Sequence, residues 1–174
     1  SMWRWLKLPD SISSGRRHLL TTLAGAGGLL LAGNQTARAE TPAGAEKVLR
    51  FPGDPPENFV VYQLNKADAD YQEHVLFSVS AMLRKYEDNI KIVVVAFAAG
   101  IHPLLQQPKR PVSREIREKI QSLNHYGVEF HACGNTLVSL KLTEKDLLPF
   151  VKYVQTGAAD LMELQQKGYA YISW

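Results

Sequence analysis

Short apolar runs alternate with longer segments of helical periodicity from about residue 58 onward. Residues 59–64 form a short apolar run that predicts a strand. Asp68 or Asp70 can then cap a helix whose apolar positions recur at helical spacing to about Tyr86. Residues 90–99 are almost continuously apolar, which is typical of a strand that is covered on both faces.

The same alternation continues to the end of the chain. Ser113 is placed to cap a second helix that runs to about Tyr126, and Gly127 is placed to end it. The remaining predicted elements are a strand at 128–132, an interrupted helix at 137–148, a strand at 150–154, a helix at 158–166 closed by Gly168, and a strand at 169–174.

This order of elements predicts the fold class. Strands that alternate with helices require right-handed crossover connections, and these connections place the strands in a mainly parallel sheet. We therefore expect a three-layer α/β/α domain with a sheet of about five strands. The carboxyl ends of these strands meet at one edge of the sheet, where open α/β sheets bind their ligands.

The first 39 residues have a different pattern. A basic lead that includes Arg16 and Arg17 is followed by an uncharged run at 19–32, and Ala37 and Ala39 supply small residues for a cleavage point. This layout is typical of a bacterial export signal, and the adjacent arginines resemble the twin-arginine type. We expect export by the Tat route, with the Sec route as the alternative, and a periplasmic protein whose signal is cleaved near Ala39.

The uncharged run is shorter than the roughly 20 residues that span a bilayer, so no permanent membrane span is expected. A membrane anchor formed by an uncleaved signal remains the alternative. Residues 40–57 are rich in Ala, Gly and Pro and are interpreted as a linker, which leaves residues 58–174 as one α/β domain.

Composition removes several classes of function. The chain is 45% hydrophobic and 21% charged with a formal net charge of +3, which is ordinary for a globular protein. Its basic residues are interspersed with acidic ones, so no nucleic-acid partner is expected. The sequence has no glycine-rich nucleotide motif, no serine nucleophile elbow and no metal-ligand spacing, and we expect neither a cofactor nor a metal.

Cys133 is the only cysteine of the chain, and it follows an apolar strand pattern directly before Gly134. A single cysteine cannot form an internal disulfide, so the thiol is buried and inert, paired with another molecule, or reactive. His131 lies two residues earlier, on the same face of an extended strand. It could lower the pKa of the Cys133 thiol as an imidazolium, or it could simply satisfy a hydrogen bond.

Polar and glycine residues follow the predicted strands and form a candidate rim around the thiol. Each of them is also an ordinary turn or cap residue. The candidate ligand-binding residues are Gly134, Asn135, Thr136, Gly100, His102 and Lys66.

The segment Ala132-Cys133-Gly134-Asn135-Thr136, the Gly100-Ile101 turn and the tail from Thr156 to Ile172 resemble the DsrE/DsrF-like family, which is associated with intracellular sulfur oxidation. The resemblance covers residues 59–174. It implies a flavodoxin-like α/β fold and assembly into homo- or hetero-oligomers. For some members it also implies a cysteine that carries persulfide sulfur, and Cys133 is the candidate by position.

Two functions follow as hypotheses. The first is a periplasmic sulfur carrier that holds sulfane sulfur as a persulfide on Cys133, with His131 as a second catalytic residue and with thiol or persulfide proteins as donor and acceptor. Such a protein could be a sulfurtransferase or a carrier without catalysis. The alternative is a non-catalytic ligand-binding or oligomeric accessory module in which Cys133 is structural. In either case we expect a homo-oligomer, a dimer or a trimer, in which the terminal aromatic residues Tyr169, Tyr171 and Trp174 could join the interface.

Overall fold

A computed structural model of the chain describes residues 49–174. The predicted export signal and the first half of the predicted linker lie outside the described residues. The described part of the linker is attached to the domain by Arg50, whose guanidinium lies 2.7 Å from the carboxylate of Asp88. The same carboxylate accepts a hydrogen bond from the backbone N–H of Gly53 at 3.0 Å.

Strands and helices alternate through the described residues. The strands are β1 (Asn58–Leu64), β2 (Ile90–Ala96), β3 (Glu129–Cys133), β4 (Lys152–Val154) and β5 (Ala170–Ile172). The α-helices are α1 (Ala69–Tyr86), α2 (Arg114–His125), α3 (Gly134–Ser139) and α4 (Gly157–Gln166). Two 3-10 helices cover Ala98–Leu104 and Glu144–Asp146.

The five strands form one sheet in the order β4-β3-β2-β1-β5. Every pairing of neighbouring strands in this sheet is parallel. The predicted α/β fold with a parallel sheet of five strands is therefore confirmed. The carboxyl ends of β2, β3 and β4 lie side by side, and the loops that follow these three strands share one edge.

The predicted helix boundaries have the expected physical causes. The Asp68 carboxylate accepts a hydrogen bond from the Tyr71 N–H at 2.8 Å, and the Ser113 hydroxyl accepts one from the Ile116 N–H at 3.2 Å. Gly127 follows α2 with a φ of 90°, a conformation that costs glycine little and other residues more. Asp68, rather than Asp70, is thus the cap of α1.

Two predicted elements have boundaries that differ from the structure by three residues or more. β2 ends at Ala96 instead of residue 99, because the chain turns at Phe97, whose N–H donates to the carbonyl of Leu64 at 3.1 Å. The next residues form a 3-10 helix in place of further strand. The predicted helix at 137–148 begins earlier, at Gly134, and after Ser139 only the short 3-10 helix near Asp146 continues it.

Two cores of different size cover the two faces of the sheet. The larger core packs α1 and α2 against one face and includes Tyr62, Leu76 and Phe130, all fully buried. The smaller core packs α4 against the opposite face. Its buried members are Val61, Val93, Val95, Leu161 and Leu164. The predicted three layers are therefore present.

Candidate functional site at Cys133

Cys133 is the last residue of β3 and stands directly before α3. Strand residues alternate between the faces of a sheet. Phe130 and Ala132 contribute to the larger core, so His131 and Cys133 point to the opposite face, which α4 covers. Cys133 is 6% exposed. The thiol is therefore placed at the carboxyl edge of the sheet and close to the surface.

Gly157, the first residue of α4, approaches Cys133 closely. A Cβ atom placed on Gly157 would lie 3.1 Å from the Cβ of Cys133 and 3.4 Å from the ring of Phe97. The loops after β2, β3 and β4 thus converge on the thiol. A larger residue at position 157 would be in tight contact with Cys133, so one of the two would have to shift by a few tenths of an ångström.

Backbone N–H groups and one hydroxyl lower the pKa of Cys133 against the effect of burial. Burial alone would raise the pKa of the thiol, because it penalises the charged thiolate. The N–H of Gly157 opposes burial most strongly, followed by the N–H and hydroxyl of Thr136 and then the N–H of Asn135. Together these donors lower the pKa of Cys133 below its ordinary value. Hydrogen bonding to the thiolate is one of the ways in which proteins activate cysteine.

Thr136 is itself held in place by its neighbours. Its hydroxyl oxygen accepts a hydrogen bond from the N–H of Ala98 at 3.0 Å, and its carbonyl accepts one from the hydroxyl of Ser139 at 2.7 Å. Since the Thr136 oxygen already accepts from Ala98, its own O–H is free to donate toward the sulfur. Ala98 has a φ of 48°, a left-handed conformation that is uncommon for alanine. A strained residue in the loop after β2 thus supports a donor beside the thiol.

His131 is 2% exposed and has a carboxylate at each ring nitrogen. Its Nδ1 lies 2.6 Å from a carboxylate oxygen of Asp160 on α4, and its Nε2 lies 3.4 Å from one of Glu129. Glu129 in turn forms an ion pair of 2.7 Å with Lys91. The two ring nitrogens of His131 are therefore directed at carboxylates, whereas the groups that lower the pKa of Cys133 are N–H and O–H donors.

The remaining candidate residues after β3 lie next to the thiol. Gly134 lies beneath the side chain of Tyr153, whose hydroxyl occupies the space that a Cβ on Gly134 would need. The side-chain amide of Asn135 donates to the hydroxyl of Thr156 at 3.2 Å. Its backbone N–H, named last among the groups that lower the pKa of Cys133, donates to the carbonyl of Gln155 at 3.1 Å. Asn135 therefore ties the start of α3 to the residue that precedes α4.

Gly100, His102 and Lys66 have other contacts. A Cβ on Gly100 would overlap the backbone of Leu64, so the glycine allows the 3-10 helix to pack against the end of β1. His102 is buried, and its Nδ1 accepts a hydrogen bond from the N–H of Lys109 at 3.3 Å. Burial, aided by the positive charge of Arg110, lowers the pKa of His102.

Lys66 extends to the end of the chain. Its ammonium donates to the carbonyl of Trp174 at 3.3 Å and lies 4.6 Å from the centre of the Tyr71 ring. None of its contacts in the described residues involves the loops around Cys133. The sequence-based rim thus divides into residues beside the thiol and residues at the end of β1 or within the 3-10 helix.

Sequence reasoning did not single out Gly157, Tyr153 or Asp160 as part of the site. The predicted topology contained a signal for Gly157, because a strand was predicted at 150–154 and a helix from 158, and the loop between them shares the sheet edge with Cys133. A helix start directly after that strand would have placed an N–H donor near the thiol. For Tyr153 and Asp160 the sequence offered no signal, since their role depends on strand register and on the angle of α4.

Within residues 49–174, no three His, Cys, Asp or Glu side chains are grouped so as to hold a metal ion. No helix among these residues is long and apolar enough to cross a membrane.

Comparison with known proteins places this geometry in a family. The model of the DsrE/DsrF-like family matches residues 58–174. The chain belongs to the DsrE/DsrF-like family. The resemblance noted in the sequence is thereby confirmed, and this family is associated with sulfur relay. No curated protein matches the chain.

Solved structures share the DsrE/DsrF-like fold. A protein of unknown function, MTH1491 from Methanobacterium thermoautotrophicum, is 26% identical with a TM-score of 0.61, and the match covers 68% of this chain and all of that one (100%). The ychN protein from E. coli is 17% identical with a TM-score of 0.52, covering 67% of this chain and 99% of its own. The conserved protein BT1422 from Bacteroides thetaiotaomicron, also of unknown function, is 10% identical with a TM-score of 0.51, covering 67% and 95%.

Proposed function

We propose that this protein carries sulfane sulfur as a persulfide on Cys133. The feature that supports the proposal best is the lowered pKa of the only thiol in the chain, which the N–H and hydroxyl groups of Gly157, Thr136 and Asn135 cause against the effect of burial. A structural cysteine has no need of such donors, because a neutral thiol in an apolar environment is inert. Membership in a family associated with sulfur relay supports a role in carrying sulfur for this thiolate.

The transfer step needs no oxidant. The Cys133 thiolate attacks the outer sulfur of a donor persulfide, R–S–SH, and forms a new S–S bond. The S–S bond of the donor breaks, and the donor leaves as the thiolate R–S⁻ with the bonding electron pair. The product is Cys133–S–SH, which keeps the proton of the donor persulfide. An acceptor thiolate removes the outer sulfur by the same step in reverse.

The donors around Cys133 would act on both forms of the carrier. Before transfer they stabilise the attacking thiolate. When an acceptor removes the outer sulfur, Cys133 becomes the leaving group, and a thiol of lower pKa leaves faster. One set of hydrogen bonds therefore favours loading and unloading alike, as a relay protein requires.

Mass spectrometry of the native full chain tests this proposal. Incubation with inorganic polysulfide should add mass in steps of one sulfur atom, and a reductant should remove it. Cys133→Ser should gain nothing, whereas Thr136→Ser, which keeps the hydroxyl beside the thiol, should load like the wild type. The proposal fails if the native protein is loaded only after it has been denatured.

One observation favours a second function, that of a binding or accessory module without sulfur transfer. Cys133 is only 6% exposed, and Tyr153 lies over the adjacent Gly134. Low exposure of this kind is typical of a structural cysteine. Resistance of the native protein to polysulfide and to small alkylating reagents alike would support this alternative.

Location and assembly belong to the same proposal. Residues 1–39 support export, so the carrier would work in the periplasm after cleavage near Ala39 and exchange sulfur with thiol or persulfide proteins there. Intact mass of protein from the periplasmic fraction tests the cleavage, and full-length chain in the membrane fraction would contradict it.

We also propose a homo-oligomer, a dimer or trimer, supported by the exposed Tyr171 and Trp174. Light scattering that shows a monomer at high concentration would contradict the assembly.

A further inference from the structure

A hydrogen-bonded histidine and carboxylate, His131 and Asp160, join the sheet to α4 on the same face as Cys133. The His131 Nδ1 and the Asp160 carboxylate are 2.6 Å apart, and their side chains are 2% and 14% exposed. Burying a carboxylate and an imidazole removes both from water at a cost in free energy, and a well-packed apolar pair is often at least as stabilising. Around this pair the smaller core is made of valine and leucine. Stability alone therefore does not explain why a polar pair occupies this position.

The pair connects the same two backbone segments that meet at the thiol. His131 lies two residues before Cys133 on the same face of β3. Asp160 lies in the first turn of α4, three residues after Gly157, and its own N–H donates to the carbonyl of Thr156 at 3.1 Å. The contact of Gly157 with Cys133 and the hydrogen bond of Asp160 with His131 thus bridge β3 and α4 at two adjacent points.

The surrounding charges make Asp160 the principal partner of His131. The other charged side chains facing this region are Glu129 on β3, Lys91 on β2, and Lys152, which is paired with His131 in the β4 register. Glu129 is 3.4 Å from the imidazole and is shared with Lys91, whereas Asp160 is at 2.6 Å. A carboxylate in the first turn of a helix is also favoured by the helix dipole.

We propose that His131 and Asp160 are positioning residues that hold the first turn of α4 against β3, so that the Gly157 N–H is directed at the Cys133 sulfur. This inference rests on the proposed function, because a positioned donor matters only where the thiolate is used. It assigns His131 a role through α4 rather than by direct contact with the sulfur. Close positioning is required, because hydrogen bonds weaken steeply with misalignment.

The test is the pH dependence of Cys133 alkylation by iodoacetamide, measured on the full chain. Asp160→Asn should move the inflection of the rate to higher pH and slow alkylation near neutral pH by about fivefold, the factor that corresponds to one hydrogen bond of ordinary strength. Glu163→Gln, an exposed position on the same helix, should leave the profile unchanged. His131→Gln, which keeps an N–H donor toward Asp160, should shift the profile less than His131→Leu.

The double variant His131→Leu with Asp160→Leu separates positioning from stability. Two leucines fill the buried space without unpaired charge, so this variant is expected to fold, and denaturant unfolding checks that it does. We expect its alkylation profile to remain shifted to higher pH although its stability is restored. A wild-type profile in the folded double variant, or in Asp160→Asn, would overturn the proposal.

The two proposals fail separately. If the wild type takes up no sulfur from polysulfide but Asp160→Asn shifts the alkylation profile of Cys133, the positioning role is supported and the sulfur-carrier function is contradicted. If the wild type takes up sulfur and Asp160→Asn has the wild-type alkylation profile, the sulfur-carrier function is supported and the positioning role is contradicted.

Discussion

The two faces of the sheet differ in what they bury. The face under α1 and α2 is packed by aliphatic and aromatic side chains such as Leu76 and Phe130. The face under α4 has a small aliphatic core, and beside it lie the buried His131, its partner Asp160 and the thiol of Cys133. One face therefore buries most of the apolar core of the domain, whereas the other holds the proposed sulfur site.

The largest expected effect is on the free energy of unfolding, from a substitution that leaves a cavity in the larger core. Leu76→Ala should lower the free energy of unfolding by about 4 kcal/mol, because Leu76 is fully buried and its removal leaves a cavity. Leu161→Ala on α4 should cost about 2 kcal/mol, near the low end for such substitutions, because Leu161 borders solvent in a smaller core. Denaturant unfolding monitored by circular dichroism measures both.

The same two variants should affect Cys133 in the opposite order. Leu161→Ala loosens α4 and should move the alkylation profile of Cys133 to higher pH. Leu76→Ala, which leaves α4 in place, should not. If the two folded variants have the same pH profile of Cys133 alkylation, the proposal that only the α4 face controls the thiol is contradicted.

Gly157→Ala should slow the alkylation of Cys133 while it changes the free energy of unfolding little. The added Cβ meets Cys133 and Phe97, so the N–H of residue 157 is displaced from the sulfur. We expect alkylation at neutral pH to slow by about tenfold, which corresponds to the loss of one hydrogen bond to a charged group. Unfolding stability should change by no more than about 1 kcal/mol, because alanine favours the helix. Ala158→Gly, in the same turn, is the control and should leave alkylation unchanged.

Thr136→Val should have a smaller effect on the thiol. The substitution removes the hydroxyl that lowers the pKa of Cys133 and that accepts from the N–H of Ala98. We expect about threefold slower alkylation at neutral pH, since a weaker hydrogen bond is lost. Thr136→Ser keeps the hydroxyl and should behave like the wild type. Equal rates in the Val and Ser variants would exclude the hydroxyl as a donor to the sulfur.

The smallest effect concerns His102, which lies away from the thiol. Its pKa is lowered by burial, so the unfolded chain binds a proton more readily than the folded one. The stability that depends on neutral His102 should be complete above about pH 6.5 and decline as the pH falls below that value. Unfolding of the wild type and of His102→Gln across this range measures it. A decline of the same size in both proteins would assign it to other groups.

The fold was largely predictable because the signals for it are local. Continuous apolar runs and caps such as Asp68 and Ser113 are visible in the sequence, and they predicted the parallel sheet and the starts of α1 and α2. The end of β2 was not visible, because it depends on the hydrogen bond from Phe97 to Leu64 in a neighbouring strand.

The site was predictable only in its centre. Cys133, Gly134, Asn135 and Thr136 are consecutive, so finding one located the others. Gly157 and Asp160 reach the thiol region through the packing of α4, which sequence spacing does not reveal. His131 was expected to act on the sulfur from the same strand face, but its closest hydrogen-bond partner is Asp160 on a different element.

The most direct test of an activated thiol on the α4 face is the pH profile of Cys133 alkylation in the native wild-type protein. We predict that iodoacetamide reacts without denaturant, at a rate whose inflection lies below the ordinary value for a cysteine thiol. A native protein that reacts only after unfolding, or an inflection at or above the ordinary value, would contradict the account.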